Sequence, residues 1–243
     1  MRKADRNRRV LRRWSVVAIG LIVVSTLAIA TTYTPLFAAG DIRIRGSHDI
    51  PRAELLAIAG VSERSNVFHI DTRAVERRVE QDPRILEAHV TTSLPDLLAI
   101  RVVSRVPVAV IGNPGELVGA DGVVIGSAAY AVDLPALVAP DGGPVGAADL
   151  ETAAAAAGAL DPTLRRAVDA VVVGPHGGVA VRLAAGFSAS LGDASELGAK
   201  AESLAALLAW VDEQDVHVVS ADLSVPGSPT ATLAEGSHAV PAH

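Results

Sequence analysis

Cysteine is absent from the sequence, which excludes disulfides, thiolate nucleophiles and thiolate-bound metals. Aromatic residues are scarce, 3% of a chain that is 50% hydrophobic. The core must therefore be built from Ala, Val, Leu and Ile. Such a core packs densely but has few of the broad, flat side chains that commonly line small-molecule pockets. Phosphate-cradling patterns are also missing: neither GxxxxGK[ST] nor GxGxxG occurs, so nucleotide binding has no support. The histidines (His48, His69, His89, His176, His217, His238 and His243) show neither H-x-x-x-H nor H-E-x-x-H spacing, and His69 and His89 read as strand residues at a surface. Gly186-Phe187-Ser188-Ala189-Ser190 has the outline of a nucleophile elbow, but its fifth residue is Ser rather than Gly. It is better read as a strand after a turn. No catalytic set, metal site or cofactor is expected.

What is present begins with a charge asymmetry. The net charge is −6, yet residues 1–13 (MRKADRNRRVLRR) carry a local +6, which leaves −12 for the remainder. From Trp14 to Gly40 there is no charged residue. Its most apolar part, WSVVAIGLIVVSTLAIATTY, would span about 30 Å as a helix, the thickness of a bilayer core. Trp14 and Tyr33 stand where interfacial aromatics belong, and Pro35 follows as a stop. A transmembrane helix over 14–36 is the expectation, with the basic tail cytoplasmic and residues 37–243 outside. A cleaved signal peptide is the rival, because Phe37-Ala38-Ala39 resembles a small-residue cleavage site; the apolar run is longer than the 7–15 residues usual in signal peptides. The acidic outer part argues against nucleic acid as a partner.

After the apolar run, Asp41-Ile42-Arg43-Ile44-Arg45 alternates with the period of a half-buried strand. PRAELLAIA reads as a helix from Pro51 that stops at Gly60, with Leu55, Leu56, Ile58 and Ala59 on its apolar side and Asp49 as candidate N-cap. Asn66 to Ile70 reads as extended, Phe68 and Ile70 on one side, Val67 and His69 on the other. Asp71 is placed to cap the helix TRAVERRVEQ, in which Val75 and Val79 lie on one face among charged residues. Two strands follow: Ala88, Val90 and Thr92 share a face of the first, and Leu98, Ile100 and Val102 share a face of the second. The order strand, helix, helix, strand, strand predicts a two-layer fold. The histidines, carboxylates and arginines between Ser65 and Val90 then decorate a small fold and do not form a catalytic site.

The remainder is rich in strand and turn signals. Asp121-Gly122 sits between Leu117-Val118 and Val123-Val124-Ile125 as a hairpin turn. LPALVAPDGGPVG (134–146) reads as a loop. Helices are expected at about 147–159 and 162–169, and strands at 170–173, 179–184 and 187–191. ELGAKAESLAALLAW (196–210) is the clearest helix, with Leu197, Ala201, Leu204 and Leu208 on one stripe. A strand is expected from Val216 to Leu223, a break at Pro226-Gly227-Ser228-Pro229, a short strand over Thr230–Leu233, and a disordered tail.

These segments carry a resemblance. GDIRIRGSHDIPRAELLAIAGVSERSNVFHID, VERRVEQDPRILEAHV and LPDLLAIRVVSRVPVAVI together resemble the POTRA domain of the FtsQ/DivIB family of bacterial cell-division proteins. That family reads as a strand ended by Gly, a helix ended by Gly, N-x-F-x-[IV]-D, P-x-[IV]-x-x-A-x-V, P-x-x-[LI]-x-[IV] and E-R-x-P-V-A. Here the pattern falls on Gly46, Gly60, Asn66, Phe68, Ile70, Asp71, Pro83, Ile85, Ala88, Val90, Pro95, Leu98, Ile100, Arg105, Pro107, Val108 and Ala109, with Ser104 where the family has Glu. Asp121-Gly122-Val123-Val124, Leu134-Pro135-Ala136-Leu137, the helix containing Lys200 and the Asp222-Leu223-Ser224 strand resemble the family's second domain.

The resemblance implies an α+β protein: a basic cytoplasmic tail (1–13), one transmembrane helix (14–36), a POTRA domain of β-α-α-β-β order (38–108), and a mixed β-rich domain (109–234) with an exposed C-terminal edge strand. A disordered tail (235–243) ends the chain. It also implies a non-enzymatic scaffold at the division septum that binds FtsB-like and FtsL-like partners and helps control the septal peptidoglycan synthase complex. The implied partner-binding residues are Val225, Ser228, Thr230, Ala231, Thr232 and Leu233, with Lys200. An exposed strand edge can complete its hydrogen bonds on an extended partner segment; Pro226 and Pro229 have no N–H to donate and limit pairing there. The runner-up is a POTRA-containing chaperone or secretion component, but the part after residue 108 lacks the repeated ten-residue strands of a membrane barrel.

Overall fold

The computed structural model of the chain describes residues 18–26, 38–47, 50–112, 115–127, 133–174 and 177–234. The basic tail, the rest of the expected membrane segment, Asp49 and the residues after 234 lie outside the described residues. Residues 18–26 form helix α1, on which Ile19, Leu21, Ile22, Val23 and Val24 are all exposed. No described helix is long and apolar enough to cross a membrane. The chain divides into two compact units, one up to Ser104 and one from Arg105.

In the first unit the order is β1 (Asp41–Arg45), α2 (Arg52–Ala59), α3 (Thr72–Glu80), β2 (Ile85–Ser93) and β3 (Leu97–Ser104), the order the sequence predicts. The sheet runs β1-β3-β2, with β1 parallel and β2 antiparallel to β3. Alternation in β2 and β3 sends Ala88, Val90, Leu98, Ile100 and Val102 to one face. There they meet Leu55 and Ala59 of α2 and Val75 and Val79 of α3 in a single core. Burying each of the larger side chains contributes about 1.5–3 kcal/mol. Asp71 caps α3 by accepting from Ala74 N–H at 3.1 Å. Gly60 ends α2 in the left-handed region (φ 65°), and a Cβ there would lie 2.6 Å from the Arg78 guanidinium.

Two local expectations are corrected. The segment after Asn66 is not extended: Val67–His69 is a turn of 3₁₀ helix, because the Asn66 side chain accepts from Phe68 N–H at 2.9 Å. The turn buries Val67 and leaves Phe68 48% exposed, while Ile70 still packs partly against the core and His69 stays exposed. Helix α2 starts behind Pro51 with no side-chain cap; proline's missing N–H removes one of the groups that a cap would serve.

The second unit contains β4 (Pro107–Ile111), β5 (Glu116–Gly119), β6 (Val124–Ser127), β7 (Ala136–Val138), α4 (Ala147–Ala159), α5 (Pro162–Ala167), β8 (Val168–Val173), β9 (Val179–Leu183), β10 (Ser188–Gly192), α6 (Leu197–Gln214), β11 (Val218–Asp222) and β12 (Thr230–Leu233). They build a nine-stranded sheet in the order β12-β11-β10-β9-β8-β7-β4-β5-β6. Its core joins the inner faces of the strands to α4 and α6. Helix α4 buries Ala153, Ala154, Ala156 and Ala157, and small side chains let it lie close to the sheet. A Cβ on Gly158 would come within 2.7 Å of Ala120 Cβ. The scarcity of aromatics is the counterpart of this close packing.

Three features of this unit depart from the sequence reading. β4 belongs to the nine-stranded sheet, so the division falls before Arg105 and not after Val108. The stretch 134–146 is not all loop, since Ala136–Val138 forms β7 between two parallel neighbours. A strand of three residues between prolines is too short to show a period. In α6 the buried stripe is rotated: Lys200, Ala201, Ser203, Leu204 and Leu207 are buried, whereas Leu197 and Leu208 are only partly so.

Candidate partner-binding edge

β12 is the outermost strand on its side of the sheet and pairs antiparallel with β11, Thr230 opposite Asp222 and Thr232 opposite Ser220. Ala234 N–H donates to His217 O at 2.9 Å. Alternation along an antiparallel strand then turns the backbone groups of Thr230 and Thr232 toward β11, and those of Ala231 and Leu233 away from it. No side chain among the described residues bonds to those outward groups. Two N–H and two C=O groups therefore stand ready for another strand.

The turn that delivers β12 is tied to α6 by one hydroxyl. Ser203 Oγ donates to Ala199 O at 3.0 Å and accepts from Gly227 N–H at 3.3 Å. Gly227 takes a positive φ of 75°, and Ser228 N–H closes the turn on Val225 O. Val225 is 61% exposed, and Ser228, Thr230, Ala231 and Thr232 are exposed as well.

Beside the edge lies an apolar groove of about 300 Å³, lined by Ala206, Leu207 and Trp210 of α6 and by Pro229, Ala231 and Leu233. A strand added to β12 would lay every second side chain over this groove. The sequence reading missed the helical half of it. The signal was available: Leu207 and Trp210 extend the Ser203 position at a spacing of three and four, and Trp210 is one of only two tryptophans.

The expected site residues thus fall into three places. Thr230, Ala231, Thr232 and Leu233 form the edge, and Val225 and Ser228 belong to the turn before it. Lys200 is elsewhere in kind: its side chain is 1% exposed, and its ammonium donates to Asp193 O and Asp193 Oδ1, each at 2.8 Å. Its task in the fold is to hold the loop that precedes α6. Lys200, together with Ser195, keeps the Asp193 carboxyl down at about 2. Among the described residues, no group of three His, Cys, Asp or Glu side chains could hold a metal ion.

A model of the FtsQ-type POTRA domain matches residues 37–105, which hold the elements from β1 to β3. The chain is 32% identical over 200 residues to the cell division protein FtsQ of Mycobacterium tuberculosis, covering 80% of this chain and 60% of that protein. The first unit thus holds a POTRA domain of the FtsQ type. To FtsQ of Mycolicibacterium smegmatis it is 31% identical over 159 residues, 63% of this chain and 43% of the relative. DivIB of Geobacillus kaustophilus matches at 24% over 98 residues, 40% of this chain and 38% of the relative. The matches to these FtsQ and DivIB proteins thus span between 38% and 60% of the relatives' length. The POTRA domain and the mixed β-rich unit after it give the chain its α+β architecture.

Proposed function

We propose that this chain is a non-enzymatic scaffold of the bacterial division machinery, anchored in the cell membrane by residues 14–36 and concentrated at the septum. The basic residues 1–13 remain in the cytoplasm, and the POTRA domain and the β domain act outside. FtsB-like and FtsL-like partners are held on the β12 edge, through Thr230 to Leu233 and the turn residues Val225 and Ser228. Through them the chain helps control septal peptidoglycan synthesis.

The observation that carries this reading is an open strand edge with an apolar groove beside it, in a chain whose first unit holds a POTRA domain of the FtsQ type. Main-chain pairing supplies affinity in such a mode, and the groove selects alternate side chains. Further support comes from the relatives, which are named as cell division proteins, and from the apolar residues exposed on α1.

The test is a chain ended after Pro229, which lacks β12. In membranes it should lose capture of an FtsB- or FtsL-like protein from the same cell, and cells depending on it should elongate without dividing. Undiminished capture would remove the edge from the proposal. Normal division after depletion of the whole chain would remove the division role.

A further inference from the structure

The face of the first unit's sheet that points away from α2 and α3 carries two guanidiniums and an imidazole in a row. Arg45 of β1 lies directly opposite Arg101 of β3, and Arg101 lies directly opposite His89 of β2. All three are exposed. Arg43 on the same face is neutralised by Asp41, whose Oδ2 it meets at 2.6 Å. Arg45 and Arg101 make no hydrogen bond or ion pair among the described residues. Like charges placed directly across a sheet are destabilising, so this pair costs the fold stability and returns nothing to it.

Around the row is a groove of about 360 Å³ with a small apolar floor, Leu97 and Ala99, between the cationic side chains. Two free guanidiniums side by side suit a carboxylate, which accepts from their planar forks. We propose that this face docks an acidic, partly apolar segment of another protein, a carboxylate resting on Arg45 and Arg101 and an apolar side chain on Ala99. An anionic bilayer fits less well. The same face carries Asp41 and Glu87, and the sequence after residue 13 has a net charge of −12. A planar surface would meet that charge, whereas a short segment meets only the row. The inference uses the first unit alone and does not depend on the β12 edge.

The test uses the full chain in nanodiscs of zwitterionic phosphatidylcholine and a fluorescein-labelled peptide of alternating Glu and Leu, followed by fluorescence anisotropy. Binding should weaken at least tenfold in the Arg45→Thr, Arg101→Thr double variant and should weaken with added salt. A Lys–Leu peptide of the same length should not bind. The double variant should melt no lower than the parent, because a repulsion has been removed. The chain ended after Pro229 should bind the peptide as the parent does, which separates this face from the edge. Equal peptide binding by parent and double variant would overturn the proposal, as would a lowered melting temperature in the variant, which would make the row structural. Recruitment to phosphatidylglycerol vesicles in preference to the Glu–Leu peptide would assign the row to a membrane.

Discussion

The two units treat their sheet edges in opposite ways. In the first, α3 lies along the free edge of β2 and covers it with side chains: Glu76 Oε1 accepts from Val90 N–H at 2.8 Å, and Glu80 Oε1 accepts from Ala88 N–H at 3.1 Å. Four residues of helix rise about 6 Å and two residues of strand about 6.8 Å, so the two carboxylates keep step with alternate N–H groups. On the opposite side of that sheet, Arg52 donates to Ile42 O at 2.8 Å. In the second unit no side chain among the described residues covers the outward groups of β12 in this way. The glutamates occupy N–H groups that the β2 edge could otherwise offer to another strand, whereas the β12 edge still offers its own beside an apolar groove.

The comparison breaks most easily at the glutamates. Replacing Glu76 and Glu80 together by Ala strips two hydrogen bonds to charged acceptors and opens the β2 edge. About 2 kcal/mol of stability should be lost, after allowance for water reaching the freed N–H groups. Urea denaturation measures the loss, and sedimentation should show new self-association through the opened edge. An unchanged midpoint with no association would mean that the carboxylates do not protect the edge. Asp71→Ala acts one step back, on the cap that fixes the helix carrying both glutamates. It should cost about 1 kcal/mol by the same measurement.

Much of this contrast is legible in the sequence, but unevenly. Asp71, Val75, Val79 and the alternation of Ala88, Val90, Leu98 and Ile100 could be read directly, because local periodicity and capping chemistry decide them. That Glu76 and Glu80 serve β2 could not, since it depends on how α3 lies against a strand that comes later in the chain. Phe68 falls on the same side as Ile70 only if the segment is a strand, and the Asn66 side chain bends the backbone there into a turn. Thr230 to Leu233 was legible as a last short strand, and its edge position followed from the family resemblance. Trp210 was not drawn into the site, because the groove needs a helix and an edge strand to be brought together. Lys200 could be placed on α6 but not turned inward, as buried lysines are rare and only its contact with Asp193 explains this one.

Within the second unit, Lys200→Met tests whether the lysine serves the fold. The Asp193 carboxyl should return from about 2 toward its ordinary value near 3.9, read by NMR titration. A folded-state value below the unfolded one means the stabilisation is complete above pH of about 4 and is lost as the pH falls from there through about 2. The parent should show this acid-dependent loss, and the variant should show a smaller one, because the Ser195 bonds to Asp193 remain. Asp193 is exposed to solvent, so the effect on stability is smaller than that of the Asp71 cap. An unmoved Asp193 titration would detach the loop from Lys200.

The smallest expected change in stability is the one that discriminates best. Ala231→Pro removes a single N–H that points away from β11, at an exposed position of an edge strand where proline is tolerated. The β11–β12 ladder keeps its bonds through Thr230 and Thr232, so the stability measured in urea should change by no more than about 0.5 kcal/mol. Capture of a partner strand should nevertheless fall about tenfold, because one pairing bond is gone and the ring occupies the space of the incoming backbone. Thr232→Pro is the converse, since its N–H faces β11 and its loss should lower stability. If the two prolines affected stability and capture in the same proportion, β12 would be only the last strand of the sheet; opposite proportions would make its outer edge a docking surface.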